Sequence, residues 1–147
     1  MTGAHRHSII KKIIAYYHFQ KNAFGDVVRI LNDEGFLVAE YVYDAWGNHK
    51  VLDNNGVENV DSEFIGNVNP FRYRGYYFDT ESNFYYLNSR YYYPSICRFI
   101  SPDSMDYIDP SSIGGLNIYT YCGNNPISRK DIGGYFWDIG FDVGSLA

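Results

Sequence analysis

Cysteine is scarce in this sequence, which excludes two kinds of small protein. The chain of 147 residues contains two cysteines, Cys97 and Cys122, and two are too few for a disulfide framework. Neither has a second cysteine or a histidine at the spacing typical of a metal site. The sequence therefore predicts no metal and no other cofactor.

Basic residues are also few. Twelve Lys and Arg face seventeen Asp and Glu, so the formal net charge is −5. Nucleic-acid binding depends on clustered Lys and Arg that neutralise phosphates, whereas the one basic cluster here lies between His5 and Lys12 and is typical of a solvated chain end. We expect no nucleic-acid partner.

Long hydrophobic runs are missing as well. The charged start of the chain is followed by an apolar stretch, but two tyrosines and His18 interrupt it and no small-residue cleavage site follows. No stretch approaches the roughly 20 apolar residues that a membrane helix needs. We expect neither a signal peptide nor a membrane span, and this chain by itself indicates no localisation.

Tyrosine, in contrast, is abundant, with sixteen in the chain and the densest group between Asn69 and Asp103. A buried phenol still needs a hydrogen-bond partner for its hydroxyl. So many tyrosines therefore favour a sheet with one packed aromatic face and one wet face.

Strand patterns follow one another along the chain, with turn residues in each gap. Strands are predicted at 13–19, 26–31, 36–43 and 49–52, then at 71–78, 84–87 and 90–93. The gaps are rich in Asn, Asp and Gly, as in hairpin turns, and 57–68 is interpreted as a loop. One short helix is predicted near 113–122, ended by Asn124-Asn125-Pro126.

Two sets of motifs carry a family resemblance. The segment Tyr41-Val42-Tyr43-Asp44-Ala45-Trp46-Gly47-Asn48 resembles a tyrosine-aspartate (YD) repeat, in which Tyr41, Tyr43, Asp44 and Gly47 are the motif positions. Five ordered blocks resemble the RHS repeat-associated core domain: NPFRYRGYYFD (69–79), YYLNSRYY (85–92), RFISPD (98–103), GLNIY (115–119) and CGNNP (122–126). The resemblance covers about residues 16–135.

The resemblance implies a mainly β fold of successive antiparallel hairpins. In the RHS and YD-repeat family such hairpins wind into a hollow β-shell, the core domain closes one end, and the shell encloses a variable C-terminal segment that is commonly a toxin. On that pattern the chain divides into an N-terminal extension (1–12), YD-repeat hairpins (13–68), the RHS core (69–134) and a short variable tail (135–147).

The resemblance also implies a site for self-cleavage. Family members that cut themselves carry Asp-Pro-x-Gly after Asn-Asn-Pro, partnered by the aspartate of Arg-Phe-x-Ser-Pro-Asp. By position these carboxylates are Asp131 and Asp103, and two close carboxylates can share a proton. The cut would fall near Gly134 and Tyr135. Arg98 either orients a carboxylate or pairs with the sheet.

The sequence departs from the family pattern at three places. Ile132 replaces the proline of the cleavage motif, Cys97 replaces the glycine before Arg-Phe, and Tyr93 replaces the aspartate of Tyr-Tyr-Asp-Pro. Loss of proline frees φ, and loss of glycine places a side chain where the backbone needs an unusual angle. The other interpretation of the two aspartates is a turn cap at Asp103 and an exposed pair at Lys130-Asp131.

Three functions remain open. The first is a closing cap of a secreted or surface shell, with the rest of an RHS shell or its own C-terminal segment as partner. The second is cis-acting aspartyl-type self-cleavage, limited to one turnover. The third is carbohydrate or surface binding through exposed rings, for which the candidates are Trp46, Tyr76, Tyr86 and Tyr91.

The chain ends raise two further expectations. Residues 135–147 offer no room for a toxin fold and little precedes the YD unit, so we expect a C-terminal RHS fragment with a truncated array and no effector. Hairpins without their neighbours leave strand edges open, which favours self-association.

Overall fold

The computed structural model describes residues 15–108, 110–111, 115–135 and 137–139. Within these residues the chain forms two four-stranded antiparallel sheets and one two-stranded sheet, so the mainly β prediction is confirmed. The predicted extension 1–12, the start of the first predicted strand and most of the tail lie outside the described residues. No helix in the described part is long and apolar enough to cross a bilayer.

The first sheet is a meander of four strands in chain order: β1 (Tyr17–Lys21), β2 (Val27–Asn32), β3 (Leu37–Tyr43) and β4 (His49–Asp53). Its turns form because a side-chain oxygen at the end of a strand accepts backbone N–H groups of the residues that follow. Asn32, Asp44 and Asp53 all act in this way. The core of the sheet is Val27, Ile30, Ala39, Tyr41 and Val51.

The connection to the second sheet was predicted to be a loop, but it contains a helix of four residues, α1 (Ile65–Val68). This helix packs closely on the first sheet, since a Cβ on Gly66 would lie 2.5 Å from Val51 Cγ1. The Tyr41 hydroxyl donates to the Gly66 carbonyl at 2.6 Å. The helix thus closes the apolar face of the first sheet.

The second sheet contains β5 (Tyr77–Asp79), β6 (Phe84–Tyr86), β7 (Tyr91–Tyr93) and β8 (Arg98–Phe99). Its side chains alternate as strands require: Tyr85 and Tyr92 are fully buried, whereas Tyr77, Tyr86 and Tyr91 are exposed. The expected packed face and wet face are therefore both present.

Three buried tyrosines of the second region join the two sheets. Tyr73, Tyr92 and Tyr85 donate their hydroxyls to three consecutive carbonyls of the turn between β3 and β4, at 2.9, 2.7 and 3.0 Å. The accepting residues are Ala45, Trp46 and Gly47. Each of these three buried phenols thus finds its hydrogen-bond partner in the YD turn.

Two predicted elements are wrong in part. The strand expected at 71–78 is interrupted by a 3₁₀ turn at Tyr73–Gly75, because Arg74 and Gly75 both have positive φ. In the described part of the helix expected near 113–122, residues 115–121 form turns, and Thr120 bridges to Arg98 of β8. Pairing with the sheet edge replaces the helix there. Beyond it, β9 (Arg129–Asp131) pairs with β10 (Trp137–Ile139).

Candidate functional site

Asp131 lies at the end of β9 and is buried, with 2% of its surface exposed. Its Oδ1 accepts the amide N–H groups of Gly134 at 2.6 Å and Gly133 at 3.2 Å. Burial raises the pKa of the Asp131 carboxyl, although the Gly134 amide and the charge of Arg90 oppose that shift. The carboxyl is therefore held rigidly and binds its proton more tightly than an exposed aspartate.

Asp103 follows β8, where its backbone amide donates to the Ile118 carbonyl at 2.9 Å. Its Oδ1 accepts the Ser104 amide at 2.8 Å, which is the turn cap that the sequence offered as an alternative. Its Oδ2 lies 3.0 Å from Nη2 of Arg90. One oxygen of Asp103 thus holds the local turn while the other faces the interior.

Arg90 connects the two aspartates. Its Nη2 lies 3.0 Å from Asp103 Oδ2 and 3.8 Å from Asp131 Oδ2. Its Nε donates to the Gly134 carbonyl, and its Nη1 donates to the Ile118 carbonyl at 3.0 Å. The guanidinium carbon lies 3.6 Å from the ring centre of Phe99. Arg90 therefore holds both carboxylates and the carbonyl of the Gly134–Tyr135 peptide in one cluster.

Sequence reasoning missed Arg90. The available signal was its position directly before the three tyrosines of β7, where a strand enters the core, because a buried arginine requires carboxylate or carbonyl partners. Arg98, the orienting residue proposed from the sequence, lies on β8 with an exposed side chain, and within the described residues it forms no ion pair. The structure thus brings Asp103 and Asp131 together and places Arg98 outside the cluster.

The segment at the proposed cut passes very close to the loop that precedes Arg90. Gly134 has a φ of +79°, and a Cβ there would lie 2.5 Å from Ser89 Oγ and 2.8 Å from the Leu87 carbonyl oxygen. Ser89 Oγ also donates to the Gly133 carbonyl at 2.7 Å. Only glycine fits this passage, which fixes the Gly134 carbonyl against Arg90.

The known proteins that this chain resembles include toxins many times its length. It is 40% identical over 125 residues to the tRNA(Glu)-specific nuclease WapA of Bacillus subtilis subsp. natto, over 82% of the chain and 5% of that protein. It is 30% identical over 118 residues to Toxin protein Tse5 of Pseudomonas aeruginosa, over 80% of the chain and 8% of that protein. No protein-family model matches the sequence.

Solved structures agree with these relatives. The TcdB2-TccC3-Cdc42 crystal structure matches with a TM-score of 0.67 and 27% identity, over 85% of this chain and 5% of the other. The Photorhabdus luminescens Tc holotoxin pore matches with a TM-score of 0.65 and 25% identity, over 90% and 6%. This chain belongs to the RHS repeat-associated core family. The RHS core described here thus spans a small fraction of its relatives' length.

The separate sequence blocks of the RHS core converge on the carboxylate cluster. YYLNSRYY supplies Arg90, RFISPD ends at Asp103, and GLNIY supplies the Ile118 carbonyl. NPFRYRGYYFD supplies Tyr76, whose hydroxyl donates to the Asp131 carbonyl. Four blocks that are distant in sequence therefore contribute to one site.

The three departures from the family pattern have different surroundings. Cys97 occupies the left-handed region with a φ of 60°, which confirms that the position normally held by glycine needs an unusual angle. Ile132 is exposed, whereas Tyr93 packs its ring 4.8 Å from that of Phe84. None of the three side chains replaces a member of the Arg90 cluster.

The four rings proposed for carbohydrate stacking are not equally available. Tyr76 is buried, and Trp46 is partly buried and packs against the core, so neither ring is fully available for stacking. Tyr86 and Tyr91 are exposed on the wet face of the second sheet, with ring centres 5.1 Å apart. Among the described residues, no group of three side chains could hold a metal ion.

Proposed function

We propose that this chain is the core segment that closes the β-shell of a secreted RHS toxin protein, with residues 13–68 as the last repeat hairpins and residues 69–134 as the closing core. The observation that supports this proposal is that three core tyrosine hydroxyls donate hydrogen bonds to consecutive carbonyls of one YD turn. A core that binds a repeat turn in this way can terminate a stack of such hairpins.

The open side of the first sheet supports the same role. All five residues of β1 are exposed, including the aromatic side chains of Tyr17 and Phe19. An edge strand of this kind presents unpaired backbone groups to another strand. In the parent protein we assign that position to the preceding repeat hairpin, and in isolation we expect two copies of the chain to associate through β1.

A chimera tests the closing role. Residues 16–135 would replace the matching segment of Tse5, and limited proteolysis would follow the segment C-terminal to the core. We expect that segment to stay protected from added protease. A matched chimera with Tyr92→Asp, which places a charge in the tyrosine core, should lose protection. Degradation of the C-terminal segment in both chimeras would contradict the proposal.

The second candidate function is cleavage of the chain's own backbone between Gly134 and Tyr135. It is favoured by the Arg90 cluster. The Arg90 guanidinium contacts the carboxylates of Asp103 and Asp131 and also donates to the Gly134 carbonyl. Arg90 would polarise that carbonyl and stabilise the oxyanion that forms when water adds to it. In this proposal the two carboxylates would act as the acid–base pair, and Arg90 would be the anion stabiliser, that peptide hydrolysis requires.

The proton transfers follow from the two environments. Asp103 would take a proton from the attacking water while the water oxygen forms a bond to the Gly134 carbonyl carbon. Asp131, whose pKa is raised by burial, would give a proton to the Tyr135 nitrogen as the C–N bond breaks. The products are a carboxyl group on Gly134 and an amino group on Tyr135.

Intact-mass spectrometry tests this step on the purified chain. We expect a product lacking residues 135–147, formed faster as the pH falls toward the raised pKa of Asp131 because the acid must be protonated. Asp131→Asn and Asp103→Asn should abolish the product, whereas Asp106→Asn, an exposed aspartate outside the cluster, should not. An unchanged full-length mass from pH 4 to 8 would exclude self-cleavage.

A further inference from the structure

A cavity lies beside β9, on the opposite face of the strand from the Arg90 cluster. It has a volume of about 240 Å³, and its polar and apolar walls include Phe71, Arg74, Tyr77, Tyr86, Lys130 and Ile132. Lys130 directly precedes Asp131 within β9, so its side chain leaves the strand on the other side from the Asp131 carboxyl. No acidic side chain is among the described lining residues.

Arg74 is the buried cation of this cavity. Only 7% of the residue is exposed, and among the described residues neither its Nε nor its Nη1 has a hydrogen-bond partner. Its Nη2 donates to the Pro126 carbonyl at 2.6 Å. Buried donors are normally satisfied, so two unpartnered N–H groups on a lining residue indicate an acceptor that the folded chain does not itself provide.

Neighbouring groups satisfy the charge of Arg74 only in part. Its guanidinium carbon lies 4.2 Å from the ring centre of Phe24 and 4.9 Å from that of Tyr73, but ring contacts do not replace hydrogen bonds from N–H groups. Asp26 Oδ1 lies 3.9 Å from Nε. That oxygen already accepts the Arg74 amide at 2.7 Å, and Oδ2 accepts from Asn22 at 2.7 Å, so the carboxylate is fixed in place.

Two lysines add positive charge around the same cavity. Lys130 Nζ lies 3.4 Å from the Phe24 carbonyl oxygen, and Lys21 Nζ would lie 3.9 Å from a Cβ on the lining residue Gly75. Among the described residues neither lysine forms an ion pair. Burial lowers the pKa of the Lys130 ammonium, and the charges of Arg74 and Lys21 lower it further.

We propose that the cavity between Arg74 and Lys130 binds a small oxyanion, either a carboxylate or a phosphate group. Arg74, Lys130 and Lys21 place three positive charges in or beside the cavity, against the one carboxylate of Asp26. Planar N–H donors of arginine match carboxylate and phosphate oxygens, and a lysine ammonium adds a point charge. The charged groups of this cavity, Arg74, Lys130 and Lys21, are not members of the Arg90 cluster, so the proposal does not rest on self-cleavage.

Thermal unfolding of the full chain tests the site. The chain would be titrated with sodium phosphate and with sodium acetate, against sodium chloride at equal pH and ionic strength. We expect a saturable rise in the unfolding midpoint with at least one oxyanion and not with chloride. The oxyanion that raises the midpoint at the lower concentration shows whether the site prefers phosphate or carboxylate. A rise equal to that in chloride would overturn the proposal.

Two variants locate the binding. Lys130→Met keeps an aliphatic side chain but removes the charge, so it should lower the affinity for the oxyanion by about tenfold. Lys50→Met, on β4 and paired with Glu58, should bind as the wild type does. If Lys130→Met does not fold, Lys21→Met replaces it. Wild-type affinity in the folded Lys130 or Lys21 variant would also overturn the proposal.

Discussion

The two four-stranded sheets of this RHS core are stabilised in different ways. The first has an aliphatic core with one tyrosine, and Asn or Asp side chains close each of its turns. The second has a core made almost entirely of aromatic rings whose hydroxyls reach distant carbonyls. The first sheet therefore depends on local interactions, and the second depends on contacts with the first.

The turn that ends at Gly47 is where this difference can be measured most directly. Gly47 has a φ of +94°, and a Cβ there would lie 2.7 Å from the Tyr73 ring. Gly47→Ala adds a clash with the Tyr73 ring, which belongs to the core of the second region, to an unfavourable φ, so we expect a loss of about 3 kcal/mol or more in the free energy of unfolding. Urea denaturation measures the change.

Gly56 is the matched control, since it closes an Asp-x-x-Gly turn of the same kind. Its φ is +77°, but nothing lies within 4 Å of a Cβ placed there. Gly56→Ala should therefore cost only the backbone strain, about 1–2 kcal/mol. Equal losses at both glycines would show that the contact with Tyr73 contributes nothing.

The dependence of stability on pH tests the contact between the two sheets through His49, which lies on β4 and contacts residues of the second region. Its Nδ1 lies 3.0 Å from the Tyr85 hydroxyl, and its Nε2 lies 2.5 Å from Nη1 of Arg72. Burial, followed by the charge of Arg72, lowers the pKa of His49 from 6.5 to about 4. His49 is therefore neutral at pH 7 where the two sheets meet.

The sign of the effect follows from that depression. His49 binds its proton more tightly in the unfolded chain than in the folded chain. The contribution of neutral His49 to stability is therefore complete above pH 6.5 and is lost as the pH falls toward about 4. We expect His49 to account for up to about 3 kcal/mol of that loss. His49→Gln should flatten the curve of unfolding free energy against pH. His18→Gln, an exposed site on β1, should keep the wild-type curve.

Much of the first sheet could be predicted from the sequence, because its determinants are close together along the chain. Asn32, Asp44 and Asp53 bond to backbone groups two to four residues away, so turn chemistry alone locates the hairpins. The predicted strands at 26–31 and 36–43 nearly coincide with β2 and β3.

The second region resisted prediction for the opposite reason. Arg74 takes a positive φ while its amide bonds to Asp26, which lies 48 residues earlier. Arg90 binds groups at 103, 118, 131 and 134, none of which is local. The family resemblance supplied Asp103 and Asp131 by position, but the residue that joins them is apparent only once the chain is folded.

The tyrosine hydroxyls offer a finer comparison. Tyr85 is fully buried, and Tyr85→Phe would leave the Gly47 carbonyl and the His49 ring without this partner. We expect a loss of about 2 kcal/mol in unfolding free energy. Tyr86 is the next residue in β6 and is 40% exposed, so Tyr86→Phe should change stability by less than about 0.5 kcal/mol. Similar losses would argue against hydroxyl bonding as the junction between the sheets.

The smallest expected difference lies between two aspartates in nearly identical turns. Asp44 Oδ1 accepts amides at 2.8 and 3.0 Å, and so does Asp53 Oδ1. Each change to alanine should cost about 1 kcal/mol through the lost turn bonds. Asp44→Ala should cost a few tenths of a kcal/mol more, about the scale of one perturbed hydrogen bond, because the carbonyls of its turn hold the tyrosines of the second sheet. Equal costs in urea denaturation would mean that those carbonyls keep their positions without Asp44, and that the tyrosines themselves order the YD turn.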